Sequence, residues 1–305
     1  MVGGVSVQVR YFRLSEPLLP YFTALYLFDF TAPPGETIVD CLFPEWAVLR
    51  FAPGPRFRGA LGLEPLHPTW PFNVSGPTSR VLHFEAPAGC AWGLGLQPAG
   101  WARFIDAPAS EFADRLFDGM TESAFRPFAP LLDIVSAPDQ PAEAVAAQIT
   151  AYLERLPLAR SAGRVEQVQA VHALLRDPAT ANVWQIAEQT GIGTRTLERI
   201  CARWFGFPAK QELRRQRFLR SMARFTLSGY TSWSEALDER YYDQAQFVRD
   251  FRAFMMMTPS EYADMPHPVL DHIMAQRLVD QGVLSEAELA QLKGGSSTAE
   301  EAPRK

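Results

Sequence analysis

The sequence predicts an α+β fold, with a β-rich N-terminal region followed by an all-α region. Nineteen of the 25 prolines lie in residues 1–163, and none lies between Ala209 and Thr258. Because proline breaks helix interiors, the first region should be rich in strands and loops and the second in helices. The chain has 305 residues, of which 47% are hydrophobic, so it is long enough to form two domains with their own cores.

The β-rich region shows short runs of strand-forming residues that are separated by turns. The turns contain proline and glycine, as in the segment 51–55, Phe-Ala-Pro-Gly-Pro. We expect residues 1–110 to form a compact antiparallel domain, either a sandwich or a small barrel. The predicted strands are Tyr21–Phe30, Ala47–Phe51, Ser79–Phe84 and Cys90–Leu96.

Helical segments follow this region. Residues 107–111 should open a first helical stretch, and residues 157–163 should form a linker. The division is therefore a regulatory, effector-binding or dimerisation domain at 1–160, a second domain at 164–262, and a tail at 263–305 that ends in disorder. The predicted helices are Ala142–Leu156, Val165–Leu175, an almost all-helical stretch to Tyr262, Leu270–Val279 and Ser285–Leu292.

Several classes of protein are disfavoured by what the sequence lacks. No run of 18 apolar residues and no signal-peptide pattern is present, so we expect a cytoplasmic protein without membrane contact. Three widely spaced cysteines without a CxxC pair fit reduced thiols. His67 and His83 lack the close spacing of a metal site, and neither a nucleophile elbow nor a P-loop occurs. We therefore expect no cofactor and no enzyme activity.

The segment 183–206 has the pattern of a helix-turn-helix. A short helix is followed by a turn at Gly191–Gly193 and by a second helix for which Thr194 is the expected N-cap. The second helix has an apolar stripe with i, i+3, i+4, i+7 spacing. That stripe consists of Leu197, Ile200, Cys201 and Trp204, and the outward side chains are Arg195, Glu198, Arg199 and Arg203.

These outward residue types suit double-stranded DNA. A helix fits the major groove, where arginine can pair bidentately with guanine and glutamate can accept from cytosine. Arg195, Glu198 and Arg199 are the candidate base contacts, and Arg203 at the far end would contact phosphate. Two alternatives stay open: the residues form a solvated helix face, or Glu198 only orients Arg195.

The same unit recurs 50 residues later. Phe247, Phe251 and Phe254 take the places of Leu197, Cys201 and Trp204, and Arg249 takes the place of Arg199. Asp243 should cap this helix, and a preceding helix is expected at residues 234–240. A basic helix over residues 210–227 joins the units, with Arg214, Arg215, Arg217, Arg220 and Arg224 mostly outward. The outward residues of the second recognition helix are Gln244, Gln246, Arg249 and Arg252.

Residues 164–262 resemble the AraC/XylS family of bacterial transcription regulators. The most specific part is residues 241–254, Tyr-Tyr-Asp-Gln-Ala-Gln-Phe-Val-Arg-Asp-Phe-Arg-Ala-Phe, followed by Thr-Pro-Ser-Glu-Tyr at 258–262. The resemblance implies a DNA-binding domain with two helix-turn-helix units, preceded by a domain that binds an effector or dimerises. Residues 74–78 and 92–101 resemble β-rich regulatory domains and suggest a cupin-like barrel. Three positions depart from the family pattern: Arg240 stands at a turn glycine, Glu235 at an apolar position and Met256 at a common glycine. If Arg240 must adopt a positive φ, the cost is about 1–2 kcal/mol.

The sequence thus predicts a transcription factor, an activator or a repressor, that inserts two recognition helices into successive major grooves. Residues 195–224 carry nine basic and two acidic residues, although the whole chain has a net charge of −5. Such a local basic stretch suits a polyanion. RNA polymerase, a small-molecule effector and a second copy of the chain are the further partners of such a regulator. The alternative is a β-domain protein that binds a ligand or acts as an enzyme, with a degenerate helix-turn-helix used for protein interaction.

Overall fold

The computed structural model describes residues 5–157, 162–227 and 232–280, together with residues 283, 285 and 287. It confirms the predicted α+β class, because the described strands all lie before residue 119 and helices make up most of the rest. The strands are β1 (Ser6–Phe12), β2 (Phe22–Thr31), β3 (Ile38–Leu42), β4 (Ala47–Phe51), β5 (Arg58–Leu61), β6 (His67–Pro68), β7 (Phe72–Ser75), β8 (Leu82–Ala86), β9 (Gly89–Leu96) and β10 (Leu116–Asp118).

The strands form two antiparallel sheets. The larger has the order β1-β2-β9-β4-β7-β10, and the smaller has the order β3-β8-β5-β6. In the larger sheet Leu25 of β2 pairs with Leu94 of β9, and Leu94 in turn pairs with Leu49 of β4. These three leucines are buried and belong to one core cluster. The period-2 alternation of the strands therefore gives the sheet an apolar face, as expected for a half-buried strand pattern.

The helices, in chain order, are α1 (Pro98–Phe104), α2 (Pro130–Ser136), α3 (Ala142–Leu153), α4 (Ala162–Arg176), α5 (Val183–Thr190), α6 (Thr194–Ile200), α7 (Ala209–Leu227), α8 (Trp233–Ala236), α9 (Gln244–Met255), α10 (Pro259–Ala263) and α11 (Leu270–Asp280). Helix α3 confirms the predicted helix that begins at Ala142, and α11 confirms the predicted helix that begins at Leu270. None of the helices in the described ranges combines the length and apolarity needed to cross a membrane.

One predicted helical stretch is wrong. Residues 107–111 contain only a single 3-10 turn, Ala109–Glu111, and the chain then returns to the larger sheet as β10. Phe117 of β10 pairs with Val74 of β7 and packs against Phe112 at 4.9 Å between ring centroids. Aromatic packing on the sheet edge thus prevails over local helix propensity. The predicted helix at 285–292 and the predicted disorder from 294 lie outside the described residues.

The β-rich and helical regions share their cores. One cluster of buried side chains joins Trp46 and Leu49 to Leu197 and Phe205, and a second joins Leu61 and Val81 to residues of α9. The backbone N–H of Val81 donates to the carbonyl of Phe254 at 2.7 Å. The division into domains at residue 160 stays a prediction. Side chains from before and after this boundary are buried in the same two clusters, so the helical region packs directly against the sheets.

Candidate nucleic-acid interface

The first helix-turn-helix unit consists of α5, a three-residue turn and α6. Asn182 caps α5, since its side-chain oxygen accepts from the backbone N–H of Gln185 at 3.1 Å. The helix ends at Gly191, whose φ of 66° lies in the left-handed region that favours glycine. The N–H of Ile192 then donates to the carbonyl of Ala187 at 3.1 Å. The turn glycine predicted from the sequence therefore ends the helix for a conformational reason.

Helix α6 and the π-helical turn Cys201–Phe205 that continues it bury the apolar stripe and expose the basic side. Leu197 and Cys201 are fully buried, and Ile200 and Trp204 are more than nine-tenths buried, as the spacing predicts. Arg195 and Arg199 are exposed. Thr194 is exposed but is not the N-cap: the cap is Gly193, without a side-chain bond, and Thr194 is the first helical residue. That part of the prediction is wrong because the helix begins at Thr194, one residue earlier than a cap at Thr194 requires.

Glu198 and Arg203 have neighbours within the protein. The Glu198 carboxylate accepts from the backbone N–H of Ala209 at 3.3 Å, the first residue of α7. Arg203 is half-buried, and its guanidinium lies 4.8 Å from the centre of the Trp204 ring. Glu198 therefore has a capping role in the protein, in addition to any contact with a ligand. Arg203 and Arg199 line a shallow cleft with Gln167.

The second unit has the shorter helix α8 and the longer helix α9. Helix α8 spans Trp233–Ala236, about half of the predicted helix, because the chain leaves the helical region at Leu237. Asp243 caps α9 as predicted, with its carboxylate accepting from the N–H of Gln246 at 2.6 Å. The amide oxygen of Gln246 accepts from the N–H of Tyr242 at 3.0 Å, so this side chain also supports the start of the helix. The inward Phe247, Phe251 and Phe254 are buried, and the outward Gln244, Arg249 and Arg252 are exposed.

The strained backbone position of this unit is Met256, not Arg240. Met256 ends α9 with a φ of 57°, at a position where the family commonly has glycine. Arg240 is absent from the described residues with positive φ, so the expected strain there is not found. Its N–H donates to the carboxylate of Asp238 at 3.0 Å, and its guanidinium donates to the Thr180 carbonyl at 3.0 Å. Glu235, the third departure, is exposed on α8.

The arginines of the connector α7 do not form the free basic face that the sequence predicts. Arg215 is buried with 1% exposure and lies 2.6 Å from the Glu212 carboxylate. Its guanidinium donates to the carbonyls of Glu45 and Thr78 and stacks 3.9 Å from the Trp46 ring centre. The other four arginines of the set also have carboxylate partners, because α7 has neighbours on both sides. These pairs are Arg214 and Arg217 with Asp250, Arg220 with Asp238, and Arg224 with Glu239.

Asp250 is the residue of this site that the sequence reasoning missed. It is buried on α9 and accepts from Arg214 at 2.6 Å, from Arg217 at 2.9 Å and from the Tyr241 hydroxyl at 3.2 Å. Burial raises the pKa of Tyr241, and the Asp250 charge raises it further, so the phenol keeps its proton. The signal in the sequence is an acidic residue three positions after Phe247 on the apolar stripe, where a charge needs a partner. Asp250 thus fixes α9 to the connector.

One small group of potential metal ligands occurs in the described part of the chain. Asp40, Cys41 and His267 are buried with their ligand atoms within 4.8 Å of one another. The Asp40 carboxylate, however, accepts from the backbone N–H groups of Val269 and Leu270 at 2.7 and 2.8 Å. It also lies 3.2 Å from the His267 ring nitrogen. Asp40 therefore fastens the start of α11 to strand β3 by hydrogen bonds.

Comparison with known proteins supports the assignment of the helical region. Residues 186–265 match the model of a family described as "Helix-turn-helix domain". Among solved structures, ToxT from Vibrio cholerae O395 is similar with a TM-score of 0.41 and 8% identity, over 84% of this chain and 96% of ToxT. The AraC-like transcriptional activator CuxR is similar with a TM-score of 0.26 and 12% identity, over 72% of this chain and 87% of CuxR. No curated protein is similar in sequence.

The matched segment 186–265 covers helices α5 to α10, and therefore both units described above. The match falls on the residues that carry the sequence resemblance, including the segment 241–254. Residues 186–265 are therefore similar to a helix-turn-helix domain over the segment on which the resemblance to the AraC/XylS family rests.

Proposed function

We propose that this chain regulates transcription by placing α6 and α9 in successive major grooves of a specific DNA site. Arg195 and Arg199 of α6 would contact base edges, and Arg249 and Gln244 of α9 would do the same in the next groove. The centres of successive major grooves lie roughly 34 Å apart, so two recognition helices held by one connector can reach both. Thr194, Glu198, Arg203, Gln246 and Arg252 complete the proposed interface.

The observation that carries this proposal is the contrast between two sets of arginines. The five connector arginines each have a carboxylate partner, which neutralises much of their charge. Arg195, Arg199 and Arg249 are exposed and make no ion pair with any residue that the structure describes. Arg199 and Arg249 occupy equivalent positions of the two units. Cations that are unpaired in the free protein are available to phosphates and base edges.

We also propose that the β-rich region transmits regulatory signals to the helical region. Glu45 is buried and connects several elements: its carboxylate lies 2.6 Å from Arg50 of β4 and 2.8 Å from Arg277 of α11, and its carbonyl accepts from Arg215. A change around Arg50 can therefore alter the contacts of α7 and α11. A small-molecule effector, a second copy of the chain and RNA polymerase remain predicted partners, and no catalytic role is proposed.

The rival interpretation is a degenerate helix-turn-helix that binds protein. Its best support in the sequence was strain at Arg240, and the structure places the positive φ at Met256 instead. The left-handed residue lies at the end of α9, after the proposed base contacts. It therefore leaves the start of the recognition helix capped and intact.

The test uses the full chain and an operator selected from genomic fragments. Arg199→Ala should weaken operator binding by about 1–3 kcal/mol and relax the preference at one base pair, if the arginine pairs with a base. Arg252→Ala should weaken operator and random DNA equally and reduce the slope of log affinity against log salt by about 0.9, as loss of a phosphate contact does. Arg56→Ala is the matched control, because Arg56 is an exposed arginine of the β-rich region. Wild-type affinity of Arg199→Ala for both DNAs would refute its assignment.

A further inference from the structure

The tip of the second recognition helix carries an exposed aromatic side chain. Tyr242 precedes the Asp243 cap of α9 and is 93% exposed. The preceding residue, Tyr241, is buried, and its hydroxyl donates to the Asp250 carboxylate at 3.2 Å. The Tyr242 hydroxyl has no hydrogen-bond partner among the residues that the structure describes. Of the two consecutive tyrosines, the first therefore belongs to the core and the second faces solvent.

The backbone that presents the Tyr242 ring is held by several hydrogen bonds. The N–H of Tyr242 donates to the side-chain oxygen of Gln246 at 3.0 Å, and the Asp243 cap accepts from the N–H of Gln246 at 2.6 Å. Two residues before the ring, the Arg240 guanidinium donates to the Thr180 carbonyl at 3.0 Å. A tyrosine on a fixed backbone has only two side-chain torsions to order, so a contact of its ring costs little conformational entropy.

The 50-residue repeat shows how this tip differs from that of the first unit. Tyr242 takes the place of Ile192, which is half-buried. Ala245 takes the place of Arg195, one of the proposed base contacts of α6, and is exposed. Helix α9 therefore lacks, at this position, the arginine that can pair bidentately with guanine. In its place the second unit offers an exposed methyl group and, three residues earlier, an exposed ring.

The surroundings of this apolar tip favour DNA as its partner. Arg249 lies four residues after Ala245, is exposed, and makes no ion pair with a described residue. The first residue of α9, Gln244, is also exposed. Residues at the N-terminal end of a recognition helix reach the base edges of the major groove. Thymine is the base whose edge there carries a methyl group, and small apolar or aromatic side chains contact it.

We propose that Tyr242 is a specificity-determining residue, whose ring packs on the C5-methyl group of a thymine with the Ala245 methyl group beside it. The neighbouring Gln244 suits adenine, so α9 would prefer A·T pairs where α6, with Arg195 and Arg199, prefers guanine. The two halves of the operator would then differ in base composition, which fixes the direction in which the chain lies on the DNA. This inference rests on the proposed function, because it requires α9 to enter a major groove.

The experiment measures affinity of the full chain for the selected operator, in which each thymine is replaced singly by deoxyuridine. This replacement removes only the C5-methyl group. The wild-type chain should lose about 4-fold in affinity at a thymine within the half-site of α9, the equivalent of about 0.8 kcal/mol for one buried methyl group. Footprinting with Arg249→Ala identifies that half-site. Tyr242→Ala should bind the thymine operator about 4-fold more weakly and discriminate thymine from deoxyuridine there by less than about 2-fold.

Two control variants separate the ring from other effects. Tyr242→Phe removes only the hydroxyl, so it should keep the discrimination of the wild-type chain. Leu63→Ala truncates another strongly exposed apolar side chain, 82% exposed in the β-rich region, and should bind every operator as the wild-type chain does. The unfolding temperature of each variant shows that it is folded, and the exposure of Tyr242 and Leu63 leads us to expect no loss of stability.

Three results would overturn the proposal. The first is unchanged affinity of the wild-type chain for every deoxyuridine operator, and the second is full discrimination by Tyr242→Ala. The third is that Tyr242→Phe weakens operator and random DNA as much as Tyr242→Ala does, which would assign the hydroxyl to a phosphate. If Arg249→Ala weakens its half-site while the deoxyuridine operators bind normally, this inference fails and the proposed function stands. If Arg249→Ala changes nothing, both fail.

Discussion

The buried pair Glu212 and Arg215 makes a specific prediction about stability and pH. Both side chains are 1% exposed and lie where the connector α7 meets the β-rich region. Desolvation raises the pKa of Glu212 from its ordinary 4.5 to about 7, although the neighbouring Arg215 lowers it. Burial likewise lowers the pKa of Arg215. Both pKa shifts indicate that burying the pair costs more solvation free energy than the attraction between the two charges returns.

The sign of the pH effect follows from the raised pKa. The folded chain binds the Glu212 proton more tightly than the unfolded chain does, so this contribution is fully present below pH 4.5 and is lost as the pH rises through 7. The difference between the two pKa values corresponds to about 3 kcal/mol. We expect the free energy of unfolding of the wild-type chain to fall by that amount, relative to a variant without the pair, between pH 4.5 and pH 8.

The reference is the double variant Glu212→Leu with Arg215→Met, which replaces the pair by apolar side chains of similar size. Arg215→Met alone should cost about 3–5 kcal/mol at pH 8, since it leaves a buried carboxylate without its partner, whereas the double variant should be close to neutral or stabilising. Urea unfolding is followed by tryptophan emission and by circular dichroism. The two transitions should coincide, because each core cluster includes residues of both regions. If the difference in free energy of unfolding between the wild-type chain and the double variant does not change with pH, this reasoning is refuted.

Two further predictions concern the ends of α9. Met256→Gly should raise the free energy of unfolding by up to about 1 kcal/mol, because glycine adopts the observed φ of 57° without strain. The control Met257→Gly, at the next position, should lower the free energy of unfolding. Equal losses in both variants would contradict the strain argument. Asp243→Ala should lower the free energy of unfolding by about 1 kcal/mol, because the cap of α9 is lost. The same variant should also weaken operator binding. An unchanged midpoint of urea unfolding would show that the cap contributes nothing to stability.

Local patterns predicted the recognition helices well. The stripe of Leu197 and Ile200 in α6, which Cys201 continues in the π-helical turn after it, depends only on helical spacing, as does its repeat in α9. The structure buries both stripes. The cap at Asp243 is likewise a local contact, with Gln246 three residues away. Interactions within one or two turns are visible in the sequence because the helix itself brings the side chains together.

Contacts between distant parts of the chain could not be predicted in this way. Arg215 has the spacing of an outward residue, but Glu45, 170 residues earlier, and Trp46 cover it. Strands β3, β5 and β7 were also missed; they have four or five residues and lie between turns that contain proline or glycine. The position of the left-handed residue was also misjudged. The turn before α9 is held by Asp238 and needs no positive φ at Arg240.

The most direct test of the account is hydroxyl-radical footprinting of the operator with the wild-type chain, Arg199→Ala and Arg249→Ala. The wild-type chain should protect two patches about 10 base pairs apart on one side of the duplex. Arg199→Ala should weaken the protection of one patch, and Arg249→Ala that of the other. A single protected patch, or the same patch lost in both variants, would contradict the placement of two equivalent helices in successive grooves.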